Sequence, residues 1–250
     1  MTVRRCRVLD AGGAELAPCE AARARQLLAA GRATPVEGEE MTIRLPYAVL
    51  RPAARVRHEG AQIAPGTPLL LHICCGPCAT YPVPRLRELG FDVAGWWYNP
   101  NIQPAEEHTR REEAARALAG RLGLPLAAGA YEMERYEAAV RGDEARPERC
   151  RRCYRLRLEA TAAEAERRGI GAFTTTLLIS PYQDQAALRE IGDEVAAAHG
   201  LHFFFENLRR GWAQRGRLAR EYGLYMQQYC GCRFSLAERI ERRQPAGKER

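Results

Sequence analysis

Seven of the nine cysteines fall into three short clusters that are far apart in the sequence. Thiolates are ligands for zinc and for iron–sulfur clusters, and close thiol pairs also carry out redox chemistry. Short loops that each supply two or three thiols to one point in space are what a folded metal site requires. The clusters are Cys74, Cys75 and Cys78; Cys150 and Cys153; and Cys230 and Cys232.

The number of clustered thiols does not decide whether they bind zinc or an iron–sulfur cluster. A [4Fe–4S] cluster takes four cysteines, and a structural zinc ion also takes four, so seven exceed either need. The Cys230-Gly-Cys232 segment fits a zinc corner, additional cluster ligands or a redox pair. Cys6 and Cys19 stand apart, and we expect them to be buried or free thiols rather than ligands.

The composition favours an ordinary globular protein. Hydrophobic residues make up 46% of the 250 residues, and no apolar run approaches the roughly 18 residues that a membrane span needs. The first residues lack the apolar segment of a secretory signal, so we expect a soluble cytoplasmic protein without a membrane partner. The net charge of +7 comes mainly from arginine, which suits phosphate contacts but does not by itself establish an RNA partner.

Buried apolar runs that alternate with helical segments predict a parallel α/β sheet. The runs at 68–75, 91–100 and 171–180 are typical of strands buried on both faces. Helices are predicted over 105–122 and 184–199, between or after these strands. The fold class is therefore α/β, with a doubly wound and mostly parallel sheet.

The cysteine clusters are predicted to lie at one edge of this sheet. Cys74 and Cys75 follow the first buried strand, Asn99 follows the second, and 180–184 follows the third. Because ligand sites in open α/β sheets lie beyond the carboxyl ends of the strands, these segments should converge. A long helix opened by Pro147 should carry Cys150 and Cys153 in its first turns.

The chain divides into three predicted regions. Residues 1–65 read as a small α+β appendage and linker, with strands at 6–9 and 41–45 and a helix at 21–30. Residues 66–235 form the cysteine-bearing α/β domain. Residues 236–250 are highly charged and are expected to be a disordered tail.

Five sequence blocks resemble the cobalamin-independent epoxyqueuosine reductases, the QueH family. The blocks are LHICCGPCAT, WWYNPNIQPAEEHTRR, PERCRRCYRLRLEATA, FTTTLLISPYQD and YGLYMQQYCGC. They cover roughly 68–235; in between, Leu208 and Trp212 stand where we expect the family to carry Phe and Tyr. The resemblance implies a HUP or PP-loop type of fold, without a phosphate-binding loop. It also implies reduction of epoxyqueuosine to queuosine at the wobble position of tRNA.

The resemblance also implies roles for the cysteines. Cys74, Cys75, Cys150 and Cys153 would hold a [4Fe–4S] cluster, and Cys230 and Cys232 would form a redox-active pair. Alternatively, Cys78 and the Cys230 and Cys232 thiols would bind an adjacent mononuclear iron. The implied partners are tRNA carrying epoxyqueuosine and an electron donor protein.

The implied reaction requires electrons, a Lewis acid at the epoxide oxygen and a proton source. Candidate proton donors at the same sheet edge are Tyr98, Tyr182 and Asp184. The tyrosines are equally suited to packing or base stacking, and Asp184 to capping a helix. Four arginines of these blocks are suited to contacts with phosphates or acidic partners, but for each of them we expect solvation at the surface; they are Arg110, Arg111, Arg155 and Arg157.

The N-terminal region has a separate resemblance. VLDAGGAELAPCEAARARQLLAAGRA followed by MTIRL resembles the RRXRR (PLMP) domain of IscB-type RNA-guided nucleases, over about 6–45. This implies an accessory module that contacts tRNA, and the alternative is a passive stabilising appendage. For the whole chain, two other functions remain open: another iron–sulfur tRNA-modifying or desulfidase enzyme on this scaffold, and a zinc-bound RNA-binding module without catalysis.

Overall fold

A computed structural model describes residues 5–9, 11, 13, 15–38, 41–46 and 65–243. The chain separates into two compact units, Met1–Ala61 and Gln62–Arg250. Within the described residues, none of the helices has both the length and the apolar character that crossing a membrane demands.

In its described residues, the N-terminal unit combines a four-stranded sheet with one helix. Its elements are β1 (Arg5–Leu9), β2 (Glu15–Glu20), α1 (Ala21–Ala29), β3 (Thr34–Pro35) and β4 (Thr42–Arg44). The strand order is β2-β1-β4-β3, with β1 parallel to β4 and the other pairs antiparallel. Strand β2 was not predicted because it contains Pro18, but an edge strand tolerates the missing amide. The expected linker at 51–68 lies mostly outside the described residues.

The large unit is built on a five-stranded sheet in which every pair of neighbours is parallel. The strand order β7-β6-β5-β8-β9 reverses direction between β5 and β8, which is where open α/β sheets bind ligands. The parallel α/β fold predicted from the sequence is thereby confirmed. The strands are β5 (Thr67–His72), β6 (Phe91–Trp97), β7 (Leu126–Ala128), β8 (Ala172–Thr175) and β9 (His202–Phe203).

Helices follow the strands and supply the rest of the site. Within residues 65–243, two segments of 3-10 helix occur, at Thr176–Ile179 and Leu208–Gly211. The α-helices are α2 (Gly76–Ala79), α3 (Pro82–Glu88), α4 (Ala105–Leu122), α5 (Met133–Val140), α6 (Glu148–Arg167), α7 (Gln185–Ala198), α8 (Trp212–Glu221) and α9 (Arg233–Arg243).

Each face of the sheet packs against its own helices. Successive side chains of a strand point to opposite faces, so Leu69 and Leu71 belong to one apolar core and Leu70 to the other. The first core includes Leu118 of α4, and the second includes Leu158 of α6 and Leu188 of α7. Burial on both faces explains why β5 reads as a continuous apolar run.

Two segments differ from the sequence expectation. The run at 171–180 was expected to be one strand, but β8 ends at Thr175, whose side chain accepts a hydrogen bond from the amide of Leu177 and starts a 3-10 helix. Residues 236–243 belong to α9 rather than to a disordered tail. This helix is held because Phe234 packs against the apolar cluster of Cys153 and Cys232, and Ser235 is buried.

Substitution by alanine should have opposite effects on stability at two glycines that lie inside helices. A Cβ atom at Gly192 in α7 would lie 2.3 Å from ring carbons of Phe203, whereas one at Gly120 in α4 would meet nothing within 4 Å. We expect Gly192→Ala to lower the free energy of unfolding by about 1–3 kcal/mol through overpacking. Gly120→Ala should raise it by about 0.5–1 kcal/mol through lower backbone entropy in the unfolded chain. Urea unfolding followed by circular dichroism measures both, and equal effects would contradict the tight α7–β9 packing.

Candidate functional site

Three cysteines form a compact group after the first strand of the large unit. Their sulfur atoms all lie within 4.8 Å of one another, and the Sγ atoms of Cys74 and Cys75 are 3.9 Å apart. Cys75 occupies the N-cap of α2 in an extended conformation, and Cys78 lies within that helix. Cys75 and Cys78 are buried, while Cys74 is half-buried. The three thiols of the CCxxC segment therefore lie close together, as expected from the sequence.

The three thiols have unequal affinities for a proton. Hydrogen bonds from Cys75 and Cys78 hold the pKa of Cys74 well below its usual value. Burial raises the pKa of Cys75, and the hydrogen bond to Cys74 raises that of Cys78 to about 12. The group therefore favours one thiolate flanked by two thiols, and a metal that binds all three must displace their protons.

A glutamine from a loop that is distant in the sequence contacts two of these cysteines. The Nε2 atom of Gln227 lies 2.7 Å from the sulfur of Cys75 and 3.7 Å from that of Cys78. Its Oε1 atom is buried without a hydrogen-bond partner among the described residues. Nothing in the sequence marks Gln227, because it lies in an irregular loop about 150 residues from the cysteines it contacts.

The other four clustered cysteines, called the second group, come from two elements of the large unit, and among the described residues only the first group brings three thiols within 4.8 Å of one another. Cys150 and Cys153 lie in the first turns of α6, and Cys230 and Cys232 lie in the loop before α9. Cys153 and Cys232 share a small apolar cluster with Tyr136. Burial raises the pKa of Cys153 to about 12 although the nearby Arg157 charge lowers it, and the neighbouring Cys230 and Cys232 raise it further. Cys230 is exposed, whereas Cys232 is buried.

The Arg157 guanidinium connects the two groups. Its Nη2 atom donates to Oδ1 of Asn99 at 2.5 Å, and its Nη1 atom lies 3.9 Å from the sulfur of Cys153. Its positive charge also lowers the pKa of Cys74. Arg157 is only 2% exposed, and within the described ranges its side-chain hydrogen-bond partners are Asn99 and Cys153 and no carboxylate forms an ion pair with it. Because an unpaired buried charge is costly, thiolates or an anionic metal centre must balance it.

Polar side chains fix the ends of the strands from which this site extends. The Asn99 amide donates to the carbonyl of Ile73 at 2.8 Å. The imidazole of His72 contacts the Thr175 hydroxyl and the Tyr98 carbonyl, and burial lowers its pKa to about 3, so it is neutral. These contacts join the ends of β5, β6 and β8 into one rigid edge.

A cavity of about 670 Å³ opens beside the first cysteine group. Its wall contains Cys74, Cys78 and Cys230, so both cysteine groups face it. The wall also carries six arginines and a single carboxylate, that of Glu238, so the cavity is strongly positive and suits an anionic ligand. The arginines are Arg111, Arg146, Arg157, Arg215, Arg239 and Arg242.

The loop that carries Cys230 and Cys232 is held by Arg111. Arg111 is 2% exposed, pairs with Glu107 at 2.7 Å and donates to the carbonyls of Cys230 and Tyr229 at 2.9 and 3.2 Å. Gly231 has a φ of +141°, and a Cβ atom there would lie 2.9 Å from the Asn101 amide. Only glycine fits this position.

The expectation of surface solvation is wrong for two of the four arginines. Arg111 and Arg157 are buried, because backbone carbonyls, an amide and a carboxylate accept from them inside the protein. Arg110 and Arg155 are exposed, and Arg155 pairs with Glu194 at the surface.

One spacing signal identifies Arg157 in retrospect. Cys150, Cys153 and Arg157 lie at positions i, i+3 and i+7 of one helix, and such positions share a face. No comparable signal marks Arg111.

The structure separates the proposed proton donors. Asp184 is exposed, caps α7 by accepting from the amides of Ala186 and Ala187, and does not line the cysteine cavity. Tyr98 donates to Glu132 at 2.6 Å and lines a different cavity of about 560 Å³. Tyr182 lines the cysteine cavity. The catalytic roles of Tyr98 and Asp184 stay predictions.

Comparisons with known proteins identify similar chains. The family model of epoxyqueuosine reductase QueH matches residues 69–238. The epoxyqueuosine reductase QueH of Thermotoga maritima is 39% identical over 190 residues, which cover 73% of this chain and 97% of that protein. The enzyme of the same name from Dehalococcoides mccartyi is 38% identical over 173 residues, 69% of this chain and 94% of that protein. A crystal structure of a predicted tRNA methyltransferase subunit from Methanocaldococcus jannaschii is similar with a TM-score of 0.45 and 14% identity, covering 62% of this chain and 75% of that one.

The electrostatic role of Arg157 can be measured on metal-free protein. Because its cation favours the Cys74 thiolate, Arg157→Met should raise the pKa of Cys74. Only the thiolate reacts with iodoacetamide, so the pH profile of Cys74 alkylation should move to higher pH. Peptide mass spectrometry reports the alkylation of Cys74 separately from the other thiols. Arg155→Met, on the same helix but exposed, is the matched control and should leave the profile in place. Identical profiles for the two variants would contradict this role.

Proposed function

The chain belongs to the epoxyqueuosine reductase QueH family, and we propose that its cysteine-lined cavity is where the epoxide is reduced. The resemblance noted for 68–235 is confirmed, and the chain is an oxidoreductase of queuosine biosynthesis with a tRNA substrate. The observation that supports the cavity as the active site is the group of three thiols within 4.8 Å at its wall.

The reaction has a definite requirement for electrons and protons. Converting epoxyqueuosine to queuosine breaks two carbon–oxygen bonds and forms a carbon–carbon double bond, and the oxygen leaves as water. This consumes two electrons and two protons. We propose that an electron donor protein supplies the electrons, and that the reaction takes place in the cytoplasm, where tRNA is available.

The cysteines fit an iron–sulfur centre. We propose that Cys74, Cys75, Cys150 and Cys153 hold a [4Fe–4S] cluster, which when bound would supply electrons one at a time. The buried Arg157 cation, which has no carboxylate partner in the described part of the chain, supports an anionic centre between the two cysteine groups.

The remaining thiols have two possible assignments. Cys78 lies in the same group as Cys74 and Cys75, which favours a ligand role for it, for example at an adjacent mononuclear iron. Cys230 is exposed and lines the cavity, and Cys232 is buried beside Ser235. This arrangement suits a redox pair with one accessible thiol, and it also leaves Cys230 available as a ligand.

Nucleoside analysis tests the reaction and its dependence on the cysteines. The protein is purified without oxygen, reconstituted with iron and sulfide, and incubated with tRNA containing epoxyqueuosine and a strong reductant. We expect mass spectrometry to show loss of one oxygen from the modified nucleoside. Cys75→Ala should reduce the rate by at least about 100-fold, since even outer-shell changes at metal sites cost 10- to 100-fold.

Cys19→Ala is the matched control, because Cys19 lies in the N-terminal unit, and it should keep full activity. If iron is bound but the epoxide survives in the wild type, the substrate is wrong. If the protein binds only zinc, the iron–sulfur proposal fails.

The N-terminal unit lies outside residues 69–238, which the QueH family model matches. The Thermotoga maritima relative is matched over 97% of its length, yet that match covers only 73% of this chain. We propose that the unit, which resembles an RRXRR domain, is an accessory tRNA contact. Removing residues 1–65 should then weaken tRNA binding while the rate at saturating tRNA is retained. Unchanged tRNA affinity in an electrophoretic or fluorescence titration would show a passive appendage instead.

A further inference from the structure

Tyr182 is an exposed aromatic side chain beside the cysteine cavity. Its exposed fraction is 73%, the largest among the three large hydrophobic side chains that the described residues expose; the others are Met41 and Ile240. The Tyr182 amide donates to the Ser180 hydroxyl at 3.2 Å, which fixes the turn before α7. An aromatic ring held outward by its backbone loses little freedom when a ligand covers it.

Trp212 forms an aromatic pair with Tyr182. The two ring centroids are 5.9 Å apart and the rings are nearly perpendicular, at 84°. Trp212 is the first residue of α8 and is half-buried, so its ring supports that of Tyr182 from the protein side.

Arg215 connects this pair to the cysteines. Its guanidinium lies 4.4 Å from the centroid of the Trp212 ring, and its Nη2 atom is 3.8 Å from the sulfur of Cys78. Arg215 is buried, so the distance between the aromatic pair and the metal-binding thiols is fixed by packing. Tyr182, Trp212 and Arg215 all line the same cavity as Cys74 and Cys78.

The charge of the cavity indicates what covers this pair. Arg146 and Arg242 are 45% and 75% exposed and line the cavity, and both pair with the single carboxylate, Glu238. Arg239, also on α9, donates to the carbonyl and side chain of Gln228. Excess positive charge beside an exposed aromatic ring matches single-stranded nucleic acid, whose phosphates and bases need these two features.

We infer that Tyr182, supported by Trp212, is a stacking platform for an unpaired base of the tRNA anticodon loop, next to the nucleotide that carries the epoxide. Arg242 and Arg239 on α9 bind backbone phosphates of the same loop. This inference rests on the proposed function and adds the residues that position the substrate. A base stacked on Tyr182 lies at a fixed distance from the cysteines. The adjacent modified base can then enter the cavity.

The test measures equilibrium binding of reconstituted holoenzyme to an anticodon stem-loop. Tyr182→Ala should raise the dissociation constant between about 5-fold and about 150-fold, which is the range measured for loss of one base stack. Tyr182→Phe keeps the ring and should restore affinity to near that of the wild type. Ile240→Ala is the control for loss of an exposed apolar side chain, because Ile240 does not line the cavity, and it should change neither binding nor turnover.

A double-mutant cycle identifies the base. Stem-loops with an abasic site on either side of the modified nucleotide are titrated against the wild type and Tyr182→Ala. If the base stacks on Tyr182, the two losses are not additive at one of these positions, since each change removes the same contact. Additive losses at both positions, or wild-type affinity for Tyr182→Ala, would overturn the platform.

The phosphate contact has its own measurement. Arg242→Gln should weaken binding to RNA of any sequence. It should also lower by about one the magnitude of the slope of log association constant against log salt concentration. Arg217→Gln, which removes an exposed arginine of α8 outside the cavity wall, should not change the slope. Equal slopes for both variants would overturn the phosphate assignment.

Comparing turnover with a chemical reductant and turnover with an electron donor protein tests whether Tyr182 contacts the RNA or the donor. Tyr182→Ala could bind RNA normally and slow only the reaction with a protein electron donor. That result would show that the surface around Tyr182 docks the donor, and it would overturn the base-stacking role of Tyr182. If the wild type binds the stem-loop but leaves the epoxide intact, the proposed function fails, and the double-mutant cycle still decides the platform.

Discussion

The buried positive charge of Arg157 is the constraint on which the rest of the site depends. A guanidinium at 2% exposure without a carboxylate partner in the described residues needs a compensating negative charge, and its own charge favours the thiolate of Cys74. Its hydrogen bond to Asn99 ties it to the carbonyl of Ile73, directly before the first cysteine group. The same side chain contacts Cys153 of the second group. One cation therefore contacts the second group directly, is tied through Asn99 to the strand end that precedes the first group, and lowers the pKa of Cys74.

The sheet makes this arrangement rigid. The ends of β5, β6 and β8 are neighbours because the ladder between them is parallel, and the bonds of His72 and Asn99 close that edge. The segments that arrive later in the chain are fixed by single buried contacts. Arg111 binds two carbonyls of the loop that carries Cys230, and Gln227 contacts the Cys75 sulfur. The three thiols of the first group are thereby held within 4.8 Å of one another, as binding of a metal ion requires.

Much of the fold followed from local sequence patterns. Helix α4 spans the predicted 105–122, and the buried runs before Cys74 and Asn99 are β5 and β6. These predictions succeed because apolar periodicity and glycine or proline boundaries act over a few residues. The segment 171–180 and helix α9 were not predicted correctly. In the segment 171–180 a threonine side chain caps a 3-10 helix. In α9 the packing of the half-buried Phe234 and the burial of Ser235 outweigh a charged composition.

The sequence by itself determined the chemistry that is available: seven clustered thiols, their placement after strands and at a helix start, and a family resemblance that the comparisons confirm. Only the tertiary structure decided which thiols lie together, that Arg111 and Arg157 are buried, and that Tyr182 rather than Tyr98 faces the cysteine cavity. The reason is physical. Spacing along the chain fixes geometry within one helix or loop, whereas the distances between segments that are 58 or 102 residues apart in the sequence depend on how the sheet and its helices pack.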